Sequence, residues 1–136
     1  MSAPDLLMAA WFETQQWAKS NTPPDTKFLV PPLPEGFRVF SERTSWVDWK
    51  DGDALYAFPA YATEWRRRLD AIGMRLVVGH VDFAGMIQQY KAQSWERLLT
   101  VAREHHINYI IQYAEVFYPV PAVFTNETFS VYQALN

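Results

Sequence analysis

The most informative absences in this sequence concern reactive and metal-binding groups. The 136 residues include no cysteine, which excludes disulfide bonds, thiolate metal sites and a cysteine nucleophile. The five glycines form no phosphate-binding loop, and no serine lies in a Gly-x-Ser-x-Gly elbow. No apolar run approaches the roughly 18 residues of a membrane span. The first ten residues also lack the basic region of a signal peptide. Taken alone, the chain is therefore expected to be cytoplasmic.

Positive charge and histidine are also scarce. The net charge of −3 argues against nucleic acid as a partner, because duplex binding depends on neutralising many phosphates. The three histidines do not form a metal-ligand pattern. His80 and Asp82 have a suitable spacing but no third ligand nearby, and the adjacent His105 and His106 would point in different directions at a helix end. We therefore predict no metal site and no cofactor.

Aromatic residues, in contrast, are abundant. Six tryptophans, seven tyrosines and nine phenylalanines accompany a hydrophobic fraction of 49%. This content is enough for one real core in a chain of single-domain size. The rings are expected to build that core, with a stacking surface for sugars or bases as the alternative.

Helical periodicity and helix-start signals recur along the chain. Ser2 and Asp5 have the spacing of a capping box, Asp82 and Ser94 are candidate N-caps, and Gly73 suits a helix end. The predicted helices span Asp5–Lys19, Tyr61–Ile72, Asp82–Tyr90 and Ser94–Glu104.

Short apolar or alternating segments predict strands between these helices. They belong to one sheet in the predicted fold, an α/β arrangement with a layered mixed sheet of about five strands and covering helices. The segments Val123–Thr125 and Phe129–Tyr132 flank Asn126-Glu127-Thr128 and are expected to form a terminal antiparallel hairpin. Residues 1–136 would form a single domain, with Trp11, Trp65, Leu98, Ile110 and Val131 in its core. The predicted strands are Lys27–Val30, Phe37–Ser41, Trp46–Lys50, Asn108–Gln112 and Phe129–Tyr132, with Met74–Val78 as a further candidate.

The densest polar cluster lies between Gly36 and Asp53. If two strands pair there, Arg38 or Arg43 could form an ion pair with Asp48 that fixes a hairpin. Alternatively, the cationic side chains could hold a phosphate or carboxylate, because guanidinium groups bind such anions bidentately. The candidate ligand-binding residues are Arg38, Ser41, Arg43, Asp48, Lys50, Trp46 and Trp49.

Other polar patterns are better explained by turns. Asp48, Asp51 and Asp53 could supply an acid pair like that of glycosidases, but Asp-Gly-Asp is first of all turn chemistry. Asn126 begins an Asn-x-Thr glycosylation pattern, which a hairpin turn also explains. We predict no catalytic residue in this chain, and whether it is an enzyme stays open.

A family resemblance emerges from several short segments. They are Trp17-Ala18-Lys19, Asn21-Thr22-Pro23, Lys27 to Pro32, Gly36-Phe37-Arg38, Phe40-Ser41, Arg43 and Val47-Asp48-Trp49-Lys50. With these segments the chain resembles the C-terminal soluble segment of an uncharacterised family of bacterial polytopic membrane proteins. That family is similar in layout to lipid-sugar-dependent glycosyltransferases of the GT-C type. The likeness extends over most of the chain and is specific over Trp17 to Lys50.

The resemblance implies a domain excised from a larger membrane protein. The domain would be a non-catalytic accessory or interaction domain on the water side, periplasmic or otherwise extracytoplasmic. Its partner would be the membrane-embedded portion of the same parent. GT-C catalytic acids lie on loops between membrane spans, so none is carried over. The alternative function is a small binding module for a sugar or phosphorylated ligand that uses Arg38, Arg43 and Lys50.

Overall fold

The structure is a computed structural model. It describes residues 2–31, 34–47, 59–73 and 82–135, with side chains from residue 63 onwards in the third range. In chain order the elements are α1 (Ala3–Asn21), β1 (Lys27–Leu29), α2 (Phe37–Ser41), β2 (Thr44–Ser45), α3 (Pro59–Ala71), α4 (Phe83–Lys91), α5 (Trp95–Glu104), β3 (Tyr109–Tyr113), β4 (Phe124–Thr125) and β5 (Phe129–Gln133).

The sheet has the strand order β2-β1-β3-β5-β4. Strand β1 pairs in parallel with β2 and β3, whereas β3–β5 and β5–β4 are antiparallel. The predicted mixed α/β fold, the expected number of about five strands and the C-terminal hairpin are confirmed in the described residues. Asn126 closes the hairpin turn, because its Oδ1 accepts hydrogen bonds from the backbone N–H groups of Thr128 and Phe129.

Helices cover both faces of this sheet. Trp11, Ala18 and Phe37 from α1 and α2 pack on one face, against strand residues that include Phe28 and Ile111. On the other face, side chains from α3, α4 and α5 pack against Leu29, Ile110 and Tyr132. All five predicted core residues are buried: Trp11, Trp65, Leu98, Ile110 and Val131.

Local capping explains why the helices begin where they do. Ser2 and Asp5 form the predicted capping box of α1. Asp82 accepts a hydrogen bond from the Gly85 N–H, and Ser94 accepts one from the Arg97 N–H. These three predicted helix starts are confirmed. After α3, Gly73 has a φ of +81°, which suits a residue without Cβ at a helix end.

The predicted strand over Phe37–Ser41 is wrong, because this segment is helix α2. Gly36 precedes it with a φ of +82°, a conformation that turns the chain away from β1. Phe37 and Ser41, four residues apart, are both buried, and Ser41 Oγ donates to the Phe37 carbonyl oxygen at 2.5 Å. In so short a run, two buried residues at a four-residue spacing suit a helix as well as a strand.

This correction also removes the proposed hairpin. The strand that follows α2 is Thr44–Ser45, and it pairs in parallel with β1. Arg38 therefore lies on a helix and not on the predicted strand. Trp46 and Val47, the first residues of the predicted strand Trp46–Lys50, follow β2 without being part of a strand, and the rest of that segment and all of Met74–Val78 lie outside the described residues.

One polar network lies between β3 and α4, on the face of the sheet that α3, α4 and α5 cover. The Gln112 side chain donates to the Tyr90 carbonyl oxygen at 3.1 Å and to the Tyr118 hydroxyl at 2.9 Å. The Tyr118 hydroxyl in turn donates to the Gln93 carbonyl oxygen at 2.7 Å. The network satisfies these buried groups and fixes the segment after β3 to the end of α4.

Among the described residues, none of the helices combines the length and apolar character needed to cross a membrane.

Candidate functional site

Arg43, a member of the predicted polar cluster, is buried at the carboxyl end of α1. Its Nε donates to Thr22 Oγ1 at 3.0 Å, and its Nη2 donates to the carbonyl oxygens of Lys19 at 2.9 Å and Thr22 at 2.6 Å. Its Nη1 donates to the carbonyl oxygens of Ser41 and Glu42. A guanidinium has five N–H donors. All five are directed at protein oxygens, which leaves none for a ligand.

Arg38 and Ser41 also contact the backbone. Arg38 lies on the exposed side of α2, and its Nη2 donates to the Ser45 carbonyl oxygen at 2.8 Å. Ser41 is fully buried, and its Oγ accepts from the Arg43 N–H at 3.1 Å. These bonds tie α2 to the start of β2.

Trp46 follows β2 and is only 3% exposed. Its ring centroid lies 4.7 Å from that of His105. Arg68 contacts it twice, with its Cζ 5.3 Å from the Trp46 ring centroid and its Nη1 donating to the Trp46 carbonyl oxygen at 2.6 Å. A sugar needs an open ring face for stacking, and these neighbours leave Trp46 in the core.

The remaining members of the cluster, Asp48, Trp49 and Lys50, lie outside the described residues, as do Asp51 and Asp53 of the candidate acid pair. His80 lies outside them too, and the expected absence of a metal site at His80 and Asp82 stays a prediction. Within the described ranges, no group of three or more metal-ligating side chains converges.

Beside the polar cluster, a group of exposed apolar side chains lies on the solvent side of α1 and α2. Met8, Phe12, Val39 and Phe40 are all large, apolar and exposed, and we call them the α1/α2 apolar patch. Phe12 and Phe40 are 47% and 50% exposed, and their rings meet edge to face with centroids 5.1 Å apart. Val39 is 63% exposed. Met8 precedes Phe12 by four residues and so lies on the same side of α1.

The patch is held in a fixed position by polar contacts beneath it. The buried Gln15 side chain accepts a hydrogen bond from the Phe40 N–H at 3.0 Å. At the far end of α2, Lys19 forms an ion pair with Glu42. The hydrogen bond from Lys19, followed by its charge, lowers the pKa of Glu42. The pair therefore neutralises two opposite charges at this end of α2.

Chemically, the patch can bury surface but cannot carry out a reaction. It contains no nucleophile and no titratable group. Contiguous exposed apolar patches of a few hundred Å² are frequently binding sites. This patch was not predicted from the sequence, because Phe37–Ser41 was assigned to a strand. The helical alternative would have placed Val39 on the side away from the buried Phe37 and Ser41.

Asn126 also lies where the sequence suggested a modification. Its Nδ2 donates to the Ala10 carbonyl oxygen at 3.0 Å and to Thr14 Oγ1 at 3.1 Å. The amide nitrogen that a glycan would need is therefore bound to α1 in the folded chain. The turn explanation accounts for this residue.

Comparison with known proteins gives one partial match. A family model described as a domain of unknown function (DUF6798) matches residues 9–72, just under half of the chain. The matched segment contains Arg43 and the patch residues Phe12, Val39 and Phe40. No curated protein matches the sequence. No solved structure matches it either.

Proposed function

We propose that this chain is a non-catalytic accessory and interaction domain of a larger bacterial membrane protein. In this proposal the parent has a layout similar to GT-C-type glycosyltransferases, and the domain lies on the extracytoplasmic, water side. The α1/α2 apolar patch is the surface through which it contacts the membrane-embedded portion of that parent. The observation that carries the proposal is the exposed Phe12–Phe40 ring pair.

The size of the patch favours a partner that is covalently attached. A stable interface between separate proteins uses about 20–30 residues on each side. The patch has four large side chains, too few for strong association between free molecules. A partner in the same polypeptide needs far less surface, because a short link gives an effective concentration of about 1 mM or more.

The alternative, a module that binds a sugar or phosphorylated ligand, has less support. It requires cationic side chains with free donors, and Arg43 directs all five of its donors to protein oxygens. Trp46 has no open face for stacking.

The test is site-specific photo-crosslinking in the full native reading frame. A photoreactive residue replaces Val39, and the matched control replaces Arg66, which is exposed on α3. We expect position 39, and not position 66, to crosslink to a peptide outside residues 1–136. Addition of Phe40→Ser should reduce that crosslink. A reading frame without membrane-spanning segments, or crosslinks only between two copies of this domain, would overturn the proposal.

A further inference from the structure

A second exposed apolar surface lies in the segment that connects β3 to β4 and ends at the first residue of β4. Residues 116–124, Val-Phe-Tyr-Pro-Val-Pro-Ala-Val-Phe, contain no charged residue, and the flanking charges are Glu115 and Glu127. Phe117 is 86% exposed, more than any other large apolar residue that the structure describes. Val123 is 45% exposed. We call residues 116–124 the apolar loop.

The apolar loop is anchored on both sides of Phe117. Val116 packs against the core, and its N–H donates to the Tyr113 carbonyl oxygen at 3.0 Å. Tyr118 is buried, and its hydroxyl bonds to both Gln93 and Gln112. Phe117 is therefore presented to solvent by fixed neighbours. Little conformational entropy remains to be lost when it binds, which favours association.

The backbone of the apolar loop is also unusually easy to dehydrate. Pro119 and Pro121 have no N–H group, so two donors are missing from a short exposed segment. Unpaired N–H and C=O groups both add to the cost of placing irregular backbone in a lipid environment, and the two prolines remove two of the N–H groups. At the far end, the Val123 N–H donates to the Val131 carbonyl oxygen at 2.8 Å, so the loop re-enters the sheet with that group paired.

Partly buried aromatic rings surround the base of the apolar loop. Trp95 is partly exposed, and its ring lies 5.6 Å from that of Tyr118 and 5.4 Å from that of Tyr132. On the other side of the sheet, the half-buried Phe124 stacks on Trp17 at 5.5 Å. Tryptophan and tyrosine rings favour the boundary between lipid headgroups and hydrocarbon, whereas phenylalanine suits the hydrocarbon itself.

From these observations we propose that the apolar loop inserts Phe117 into the interfacial region of a lipid bilayer. The lack of charge in the apolar loop favours a lipid bilayer over a protein as its partner. A protein partner would be expected to meet a polar rim, and nine consecutive residues here supply no charged group. The net charge of −3 disfavours attraction to anionic lipid, so the contact is apolar. This proposal stands apart from the α1/α2 apolar patch and involves different residues.

The test uses the 136-residue chain and protein-free vesicles. Because the sequence has no cysteine, Ala122→Cys provides a unique attachment point for an environment-sensitive fluorophore in the exposed part of the loop. We expect partitioning into neutral phosphatidylcholine vesicles, with a blue shift of the label and no loss at high salt. Phe117→Ser should weaken partitioning about tenfold or more, the loss expected for one buried phenylalanine ring.

Two controls separate this proposal from its alternatives. Val39→Ser changes the α1/α2 apolar patch and should leave vesicle binding unchanged. Urea unfolding of Phe117→Ser should match that of the unsubstituted chain, because the ring makes little contact with the fold. No vesicle binding would overturn the proposal, and so would salt-sensitive binding to phosphatidylglycerol vesicles alone. If the chain does not bind vesicles and Phe117→Ser abolishes the crosslink from position 39 to the parent protein, the apolar loop contacts a protein partner instead.

Discussion

Arg43 donates two hydrogen bonds to Thr22 at the carboxyl end of α1. Arg43 Nε donates to Thr22 Oγ1 at 3.0 Å, and Nη2 donates to the Thr22 carbonyl oxygen at 2.6 Å. Thr22 Oγ1 itself donates to the Ala18 carbonyl oxygen at 2.5 Å. The last carbonyl groups of a helix have no partner within it, and here Arg43, the residue before β2, donates to those of Lys19 and Thr22.

Arg43→Met should therefore lower the free energy of unfolding by about 3 kcal/mol. The substitution removes charged hydrogen bonds and leaves several buried carbonyl oxygens unpaired. Urea unfolding monitored by circular dichroism measures the change. Arg66→Met, on the exposed side of α3, is the matched control and should stay within about 0.5 kcal/mol of the unsubstituted chain. Unchanged stability in Arg43→Met, with loss of a phosphate-dependent stabilisation, would support an anion site instead.

Trp65→Ala should cost roughly 3–5 kcal/mol of stability, because it leaves a large cavity in the core cluster that joins α3 to the sheet. The readout is the thermal or urea midpoint. Val123→Ala removes a side chain that is 45% exposed and should have a much smaller effect. A Trp65→Ala variant as stable as the control would mean that this ring is not part of the core.

Two substitutions at Asn126 separate its roles in the turn and in contact with α1. Asn126→Ala loses both sets of hydrogen bonds and should cost about 2 kcal/mol. Asn126→Asp keeps the acceptor for the turn but places a carboxylate oxygen against the Ala10 carbonyl oxygen. At neutral pH it should be at least as unstable as the alanine variant. It should recover below about pH 4, where the protonated side chain can donate.

The control for this pair is Glu127→Gln, the exposed neighbour in the same turn, which should behave like the unsubstituted chain. The decisive comparison is the urea midpoint at neutral and acidic pH. If Asn126→Asp matches the unsubstituted chain at neutral pH, the contact with α1 contributes nothing.

The ion pairs of Glu64 should make the stability of the fold partly dependent on pH in the acidic range. Hydrogen bonds from Arg67 and then Arg68 lower its pKa from 4.5 to about 2. The folded state binds this proton less readily than the unfolded state does. The resulting stabilisation is complete above pH 4.5 and is lost as the pH falls towards 2. Because the group is partly exposed, the amount should not exceed about 1 kcal/mol, and salt should reduce it.

The measurement is the difference in unfolding free energy between the unsubstituted chain and Glu64→Gln across pH 2–6. That difference should shrink as the pH falls. Asp70→Asn, exposed on the same helix, controls for the change in net charge. A difference that stays constant with pH would show that the arginines do not stabilise the Glu64 carboxylate.

The features that the sequence predicted correctly depend on neighbours in the chain. Ser2, Asp82 and Ser94 cap helices through residues three positions away, so their role is visible in the local pattern. The hairpin around Asn126 is likewise a local turn. Strand β3 could be predicted from its continuous apolar run. The run exists because Ile110 and Ile111 are both buried, on opposite faces of the sheet.

The features that the sequence did not predict depend on distant partners. Five residues of Phe37–Ser41 fit two periodicities, and contact with α1 decides between them. The sequence suggested an ion pair between Arg43 and a nearby acid. Its partners are instead hydroxyl and carbonyl oxygens 21 to 24 positions earlier, together with carbonyl oxygens within its own turn. Nothing in the order of residues indicates that a cation will close the end of a remote helix.

The pairing of β1 has a consequence for how this chain can be divided. One side of β1 pairs with β2, which follows soon after, but the other side meets β3, and Lys27 N–H donates to Asn108 Oδ1 across 81 positions. The segment matched by the family model ends before β3, so by itself it would leave Phe28 and Leu29 with an unpaired, apolar strand edge. Such an edge is a template for aggregation. During synthesis, the central pairing of β1 must therefore wait until β3 has also left the ribosome.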